Sequence, residues 1–215
     1  MDWIFWDNDG VLVATEDLYF QASAEALGLV GIDLDLADFR TISLQRGESV
    51  FQLATGTDLG AWTIDALRDW RDRRYSELLA AGAPLQPAVI ATLEALHGQV
   101  RMAIVTSSRR HHFEAIHRHS GLLPYFEFCL VREDYHHSKP HPEPYRLALS
   151  RSGARPERCL VIEDSPRGAE AALGAGLSCL VIPGAMNAGG PFHTGCREIR
   201  SLAEIPGLLG LSHGR

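Results

Sequence analysis

Trp3-Ile4-Phe5-Trp6-Asp7-Asn8-Asp9-Gly10-Val11-Leu12 is the stretch that decides the fold. Four apolar residues in a row read as a strand buried on both faces, and Asp-Asn-Asp-Gly reads as the turn that ends it. In an open parallel sheet such strand ends face the ligand crevice. Two carboxylates one residue apart repel each other, so a cation must balance them or one must hold a proton.

The rest of the chain extends this pattern. After Pro84, helical and strand-like segments alternate. A helix begins near Pro87, carries Val89, Leu93 and Leu96 on one face and stops at Gly98. Strands are expected at Val100–Val105, Phe126–Val131, Cys159–Ile162 and Leu177–Ile182. Helices are expected at Arg109–His119, Pro142–Ser152, from Ser165-Pro166 to Gly176, and at Leu202–Leu209. The block from Glu16 to Ala83 reads as helical throughout. Alternation of strand and helix implies an α/β fold, a Rossmann-like parallel sheet covered on both faces. Residues 1–15 and 84–215 would form that core, with 16–83 an inserted helical domain. Its two connections, near Ala14 and Pro84, would lie together as a hinge.

Composition narrows the function. The 215 residues carry a net charge of −7, which argues against a nucleic-acid or anionic-membrane surface. No apolar run is long enough to span a bilayer. Asp2 and Asp7 interrupt the first apolar stretch and argue against a signal peptide. Cys129, Cys159, Cys179 and Cys196 form no Cys-x-x-Cys pair and read as core thiols. A cytoplasmic enzyme is expected, a monomer with a dimer as the alternative, acting on a small molecule.

Four chemistry-bearing groups fall at or after strand ends: Asp7 with Asp9, Thr106-Ser107-Ser108, Lys139, and Glu163-Asp164. Gathered at one sheet edge, the carboxylates suit a hard divalent cation such as Mg²⁺. The Thr106 hydroxyl and Lys139 ammonium suit phosphoryl oxygens. One carboxylate can accept a phosphoryl group, and a second can move the proton.

These residues resemble the four motifs of the haloacid dehalogenase-like superfamily. Asp7-Asn8-Asp9-Gly10-Val11 is similar to the first, Thr106 in Ile-Val-Thr-Ser-Ser to the second, Ser138-Lys139-Pro140-His141-Pro142 to the third, and Val161-Ile162-Glu163-Asp164-Ser165 to the fourth. The helical insertion resembles the family's α-helical cap. The resemblance implies that Asp7 is nucleophile and Mg²⁺ ligand and that Asp9 is the general acid/base, its carbonyl also touching the metal. It implies that Thr106 holds the phosphoryl group and that Lys139 neutralises charge. Asp164 would ligate the metal, with Glu163 acting directly or through water. The acid at Asp9 implies phosphoryl transfer rather than carbon–halogen cleavage. Substrate contacts are expected from Gly10, Tyr19, Arg46, Ser107, Ser108 and Arg109, with Arg46 and Arg109 bracketing a distal phosphate or carboxylate as in β-phosphoglucomutase-like members.

The expected activity is a Mg²⁺-dependent phosphatase of a small phosphorylated metabolite, a sugar phosphate among the candidates. The alternatives are a sugar phosphomutase and a non-catalytic phosphate-binding regulator. Tyr19 stands where mutase-like members carry histidine, which favours the phosphatase. Ala14 replaces a common Asp, and Glu143 replaces the Asp that usually follows the third motif. Of the ten histidines, His111, His112, His117 and His119 read as the solvated face of a polar helix. His136 and His137 precede Lys139 and are given no catalytic role.

Overall fold

The computed structural model describes residues 1–184, 186 and 192–211. Six strands form one sheet in the order β3-β2-β1-β4-β5-β6, and every pairing is parallel. They are β1 (Trp3–Trp6), β2 (Arg101–Val105), β3 (Phe128–Leu130), β4 (Cys159–Glu163), β5 (Ser178–Val181) and β6 (Arg197–Glu198). The sheet matches the α/β expectation. The two-residue β6 has no apolar signature and was not among the expected strands.

Both faces of the sheet are buried, as the unbroken apolar strands require. Ile4 and Trp6 point to one side with Met102, Ile104, Leu160 and Ile162. Trp3 and Phe5 point to the other with Ala103, Val105 and Val161. The first side is covered by α4 (Val89–Leu96), α5 (Arg110–His117) and α8 (Ile205–Leu208). The second is covered by α6 (Glu143–Ser152) and α7 (Pro166–Gly174), where Ala169, Ala171 and Ala172 allow close approach. Helix α4 starts at Val89, two residues later than Pro87, because Ala88 is left-handed at φ 64°.

Between β1 and α4 lie α1 (Glu16–Gly28), α2 (Leu36–Phe39) and α3 (Ile64–Ala80). A wide-turn helix at Arg40–Gln45 and a tight one at Val50–Ala54 join them. These elements enclose their own apolar cluster around Ala26, Leu27, Phe39, Phe51 and Leu67. The chain leaves and re-enters the sheet region at one place: Ala14 N–H donates to Pro84 O at 2.8 Å and Gln86 N–H to Leu12 O at 3.0 Å. Among the described residues no helix is long and apolar enough to cross a membrane. The four cysteines are free thiols, with Cys159 and Cys179 buried.

The strand order reverses between β1 and β4. Neighbouring strands therefore send their connections to opposite sides there, and a crevice opens beyond their C-terminal ends. Asp7 and Asp9 follow β1, and Glu163-Asp164 ends β4, so all four flank that crevice.

Candidate active site

A cleft of about 560 Å³, the size of a small-molecule site, opens at this edge of the sheet. Asp7, Asp9, Thr106, Ser107, Ser108, Lys139 and Asp164 line its sheet side, and Tyr19, Arg71, Asp72 and Tyr75 line its helical side.

Lys139 organises the floor. It arrives on the loop after β3 and is 5% exposed. Its Nζ donates to Asp7 Oδ1 at 2.6 Å, to Glu163 Oε1 at 2.6 Å and to Val105 O at 2.9 Å, which uses all three ammonium protons. Burial pulls the ammonium pKa down, but Asp7 and Glu163 more than offset it, and the net shift is upward. Glu163 is fully buried and also accepts from Tyr145 Oη at 2.6 Å and Ser165 Oγ at 3.1 Å. Burial, then Glu163, raise the Tyr145 phenol well above its ordinary pKa, so it stays a neutral donor.

Burial, with Glu163 adding repulsion, pushes the Asp7 carboxyl up to about 8, against the pull of Lys139. A carboxyl so buried takes up a proton unless a cation balances it. A divalent cation would replace that proton. Oxygen atoms of Asp7, Glu163 and Asp164 lie within 4.8 Å of one another. Three carboxylates against one ammonium leave a negative excess that fits a hard, oxygen-seeking cation.

Two glycines make this crowding feasible. A Cβ on Gly10, whose φ is +82°, would stand 2.0 Å from Asp164 Oδ2. A Cβ on Gly168 would stand 1.9 Å from the Glu163 carboxyl carbon. Gly10 therefore makes room for Asp164, and it does not line the cleft expected of a substrate contact. Ser165 caps α7, its Oγ accepting from Gly168 N–H at 3.1 Å.

Asp9 faces the other wall. Its Oδ1 accepts from Thr15 Oγ1 at 2.5 Å, and its Oδ2 from Ser108 Oγ at 2.6 Å and Thr106 Oγ1 at 3.2 Å. Thr106, Ser108 and Asp9 thus meet although nearly a hundred residues separate them in sequence. Ser108 N–H also donates to Thr106 Oγ1 at 3.0 Å, folding the loop after β2 over the acid.

The expected substrate contacts divide. Tyr19 lines the cleft, packed against Tyr75 and Phe39, and accepts from Arg71 Nη1 at 2.6 Å. Arg109 lines it too, with Nη1 donating to Asp72 Oδ2 at 2.8 Å. Arg46 does not: it is exposed and outside the lining. The wide turn at Arg40–Gln45 leaves it on the solvent side, and Gly47 bends in against Arg167 instead, where a Cβ would lie 2.0 Å from the guanidinium carbon. Arg71 and Asp72 had no signal in the sequence beyond a charged helix face.

Two histidines correct the solvated-face reading. His112 and His117 are each 5% exposed. His112 packs edge-on against Tyr75 with centroids 4.8 Å apart. His117 Nε2 is 2.8 Å from Asn8 Oδ1, and Nδ1 is 2.9 Å from Ser120 Oγ. Burial lowers the His117 pKa to about 4, with Asp9 opposing, so the ring is neutral near pH 7. With Nε2 as the donor, it fixes the amide between Asp7 and Asp9.

The family model for haloacid dehalogenase-like hydrolases matches residues 1–176. Protein CbbY of Cereibacter sphaeroides is 32% identical, the match covering 97% of this chain and 95% of that protein. Fructose-1-phosphate phosphatase YqaB of Escherichia coli K12 is 28% identical over 82% of this chain and 94% of its own. A solved CbbY variant from Rhodobacter sphaeroides in complex with xylulose-(1,5)bisphosphate superposes with a TM-score of 0.83. It covers 99% of both chains at 28% identity.

Proposed function

The chain belongs to the haloacid dehalogenase-like hydrolases, and we propose that it is a Mg²⁺-dependent phosphatase of a small phosphorylated sugar. The observation that carries this reading is the pairing at the cleft floor. Asp7 is held by Lys139, and Asp9, two residues on, is held by Thr106 and Ser108. That pairing supports Asp7 as nucleophile and Asp9 as proton carrier.

In this reading an Asp7 oxygen attacks phosphorus while Asp9 protonates the leaving sugar oxygen, giving an aspartyl phosphate and the free alcohol. Asp9, now a carboxylate, takes a proton from water. The hydroxide formed attacks the same phosphorus, and the phosphorus–oxygen bond to Asp7 breaks to release phosphate. Lys139 neutralises charge on Asp7 throughout, and Thr106 with Ser108 orients the phosphoryl oxygens. Asp7, Asp164 and Glu163 would hold Mg²⁺, which when bound supplies positive charge beside the phosphoryl group.

The inserted helices would act as the cap, hinged where Ala14 meets Pro84, and closure would exclude bulk water. Sugar phosphates are supported by the cleft volume and by the names of the relatives. Arg71 on its helical side and Arg109, next to Ser108 on the sheet side, suit a second anionic group, and the bisphosphate in the solved neighbour points the same way. The free thiols suit a cytoplasmic setting.

The test is phosphate release from an aryl phosphate and a sugar-phosphate panel, with and without Mg²⁺, for the parent chain and Asp7→Asn. Mg²⁺-dependent release lost in the variant is expected. Equal activity in Asp7→Asn removes the nucleophile, and isomer interconversion in place of phosphate release makes the enzyme a mutase.

A further inference from the structure

We propose that His137, His141 and Glu143 form a second metal site, for a divalent transition metal of the zinc class. They lie on the outer side of the loop that carries Lys139, in the run His136-His137-Ser138-Lys139-Pro140-His141-Pro142-Glu143. His141 N–H donates to Ser138 O at 3.0 Å, and the turn so formed brings the two imidazoles together, 4.6 Å between centroids. Lys139, between them in sequence, points inward and is buried.

One donor atom from each of the three residues lies within 4.8 Å of the others. His137 Nδ1 is 2.7 Å and His141 Nδ1 is 3.9 Å from Glu143 Oε2. Ligands about 2.0–2.2 Å from a tetrahedral zinc stand roughly 3.3 Å apart, so these two separations straddle the required value. Small side-chain rotations bring both onto it.

The carboxylate is already fixed for the task. Glu143 Oε1 accepts His136 N–H at 2.9 Å, and Oε2 accepts His137 N–H at 2.8 Å. Outer bonds of this type orient ligands before a metal arrives. The metal would take the place of the hydrogen between His137 Nδ1 and Glu143 Oε2, with the one ring proton of the neutral imidazole carried on Nε2. It would also displace the Glu143 N–H that His141 Nδ1 accepts at 3.2 Å. His137 and His141 are exposed, which leaves a path for entry and a fourth position for water.

Donor chemistry separates this site from the cleft. Imidazole nitrogens select zinc, cobalt, nickel or copper, whereas the all-oxygen set of Asp7, Glu163 and Asp164 selects magnesium. Metal at the outer site would tie together the two ends of the segment that delivers Lys139. That holds whatever substrate the cleft accepts.

The experiment titrates the full chain, free of any histidine tag, with Co²⁺ in excess Mg²⁺, following the visible absorption of the cobalt complex and its displacement by Zn²⁺. One equivalent of Co²⁺ is expected, retained in Asp164→Asn. Binding should weaken at least tenfold in His141→Ala and vanish in the double variant His137→Ala/His141→Ala, whose exposed positions leave the fold intact by circular dichroism. A parent chain that binds no Co²⁺ overturns the proposal. So does binding unchanged in the double variant, or binding lost in Asp164→Asn, since both place the ion in the cleft.

Discussion

His117 on α5 stands 2.8 Å from Asn8, the residue between the two acids of the cleft floor. Helix and strand end are 109 residues apart in sequence, yet the ring fixes the amide that separates Asp7 from Asp9. Its desolvation has a measurable consequence. The folded pKa of about 4 lies below the unfolded value of 6.5, so the unfolded state binds the extra proton between them. This contribution to stability is complete above pH 6.5 and is lost as pH falls toward 4. Over that window His117 should cost the protein on the order of 3 kcal/mol. In urea titrations His117→Gln should be less sensitive to pH between 6.5 and 4 than the parent. An identical slope would mean the ring is not held neutral.

Asp72 holds both cleft arginines. It accepts Arg109 Nη1 at 2.8 Å and Arg71 Nε at 2.7 Å. Arg109 is largely exposed, so the ion pair is worth little, and a substrate anion can displace it. In Asp72→Asn the KM for a sugar bisphosphate should fall by about two- to fivefold, while that for an aryl phosphate stays put. Steady-state kinetics on both substrates distinguish this from a general change in the helical side, which would move both.

Lys139→Met should be costly in two ways. It leaves Asp7 and Glu163 buried without their shared cation, a loss of about 3–5 kcal/mol in denaturant unfolding. It also removes the charge beside Asp7 and should lower kcat/KM by about 10²–10³. Adding Asp7→Asn to Lys139→Met should recover part of the stability and none of the activity, because it removes one of the two stranded carboxylates.

Gly168→Ala reverses the usual sign of a helix substitution. On an exposed helix the change stabilises by about 1 kcal/mol. Here the new methyl meets the Glu163 carboxylate, which is fixed by Lys139, Tyr145 and Ser165 and cannot retreat. A loss of about 1–3 kcal/mol is expected by thermal melting, with a fall in kcat as Lys139 is displaced. An unchanged melting temperature would show that Glu163 has room to move.

Much of this was legible before folding because it is local. The apolar runs of β1, β2 and β4 announce strands buried on both faces, and polarity changes abruptly where each one ends. A parallel sheet places such ends at one edge, so Asp7, Thr106 and Asp164 could be grouped from sequence. The N-cap at Ser165 and the stop at Gly98, with φ +74°, are likewise written in the residues beside them.

What the sequence by itself determined is the sheet, its edge and the acids, hydroxyls and lysine delivered there. These follow from unbroken apolar strand runs, from period-3.6 helix patterning and from the chemistry of strand ends. Tertiary structure alone decided which long side chains reach that edge. Arg46 and Arg71 are both arginines of the inserted helices, and only the wide turn at Arg40–Gln45 sends one to solvent while α3 brings the other into the cleft. His117 looked like its polar neighbours until Asn8 came to lie against it. Burial and partner are properties of packing between distant elements, and no local pattern encodes them.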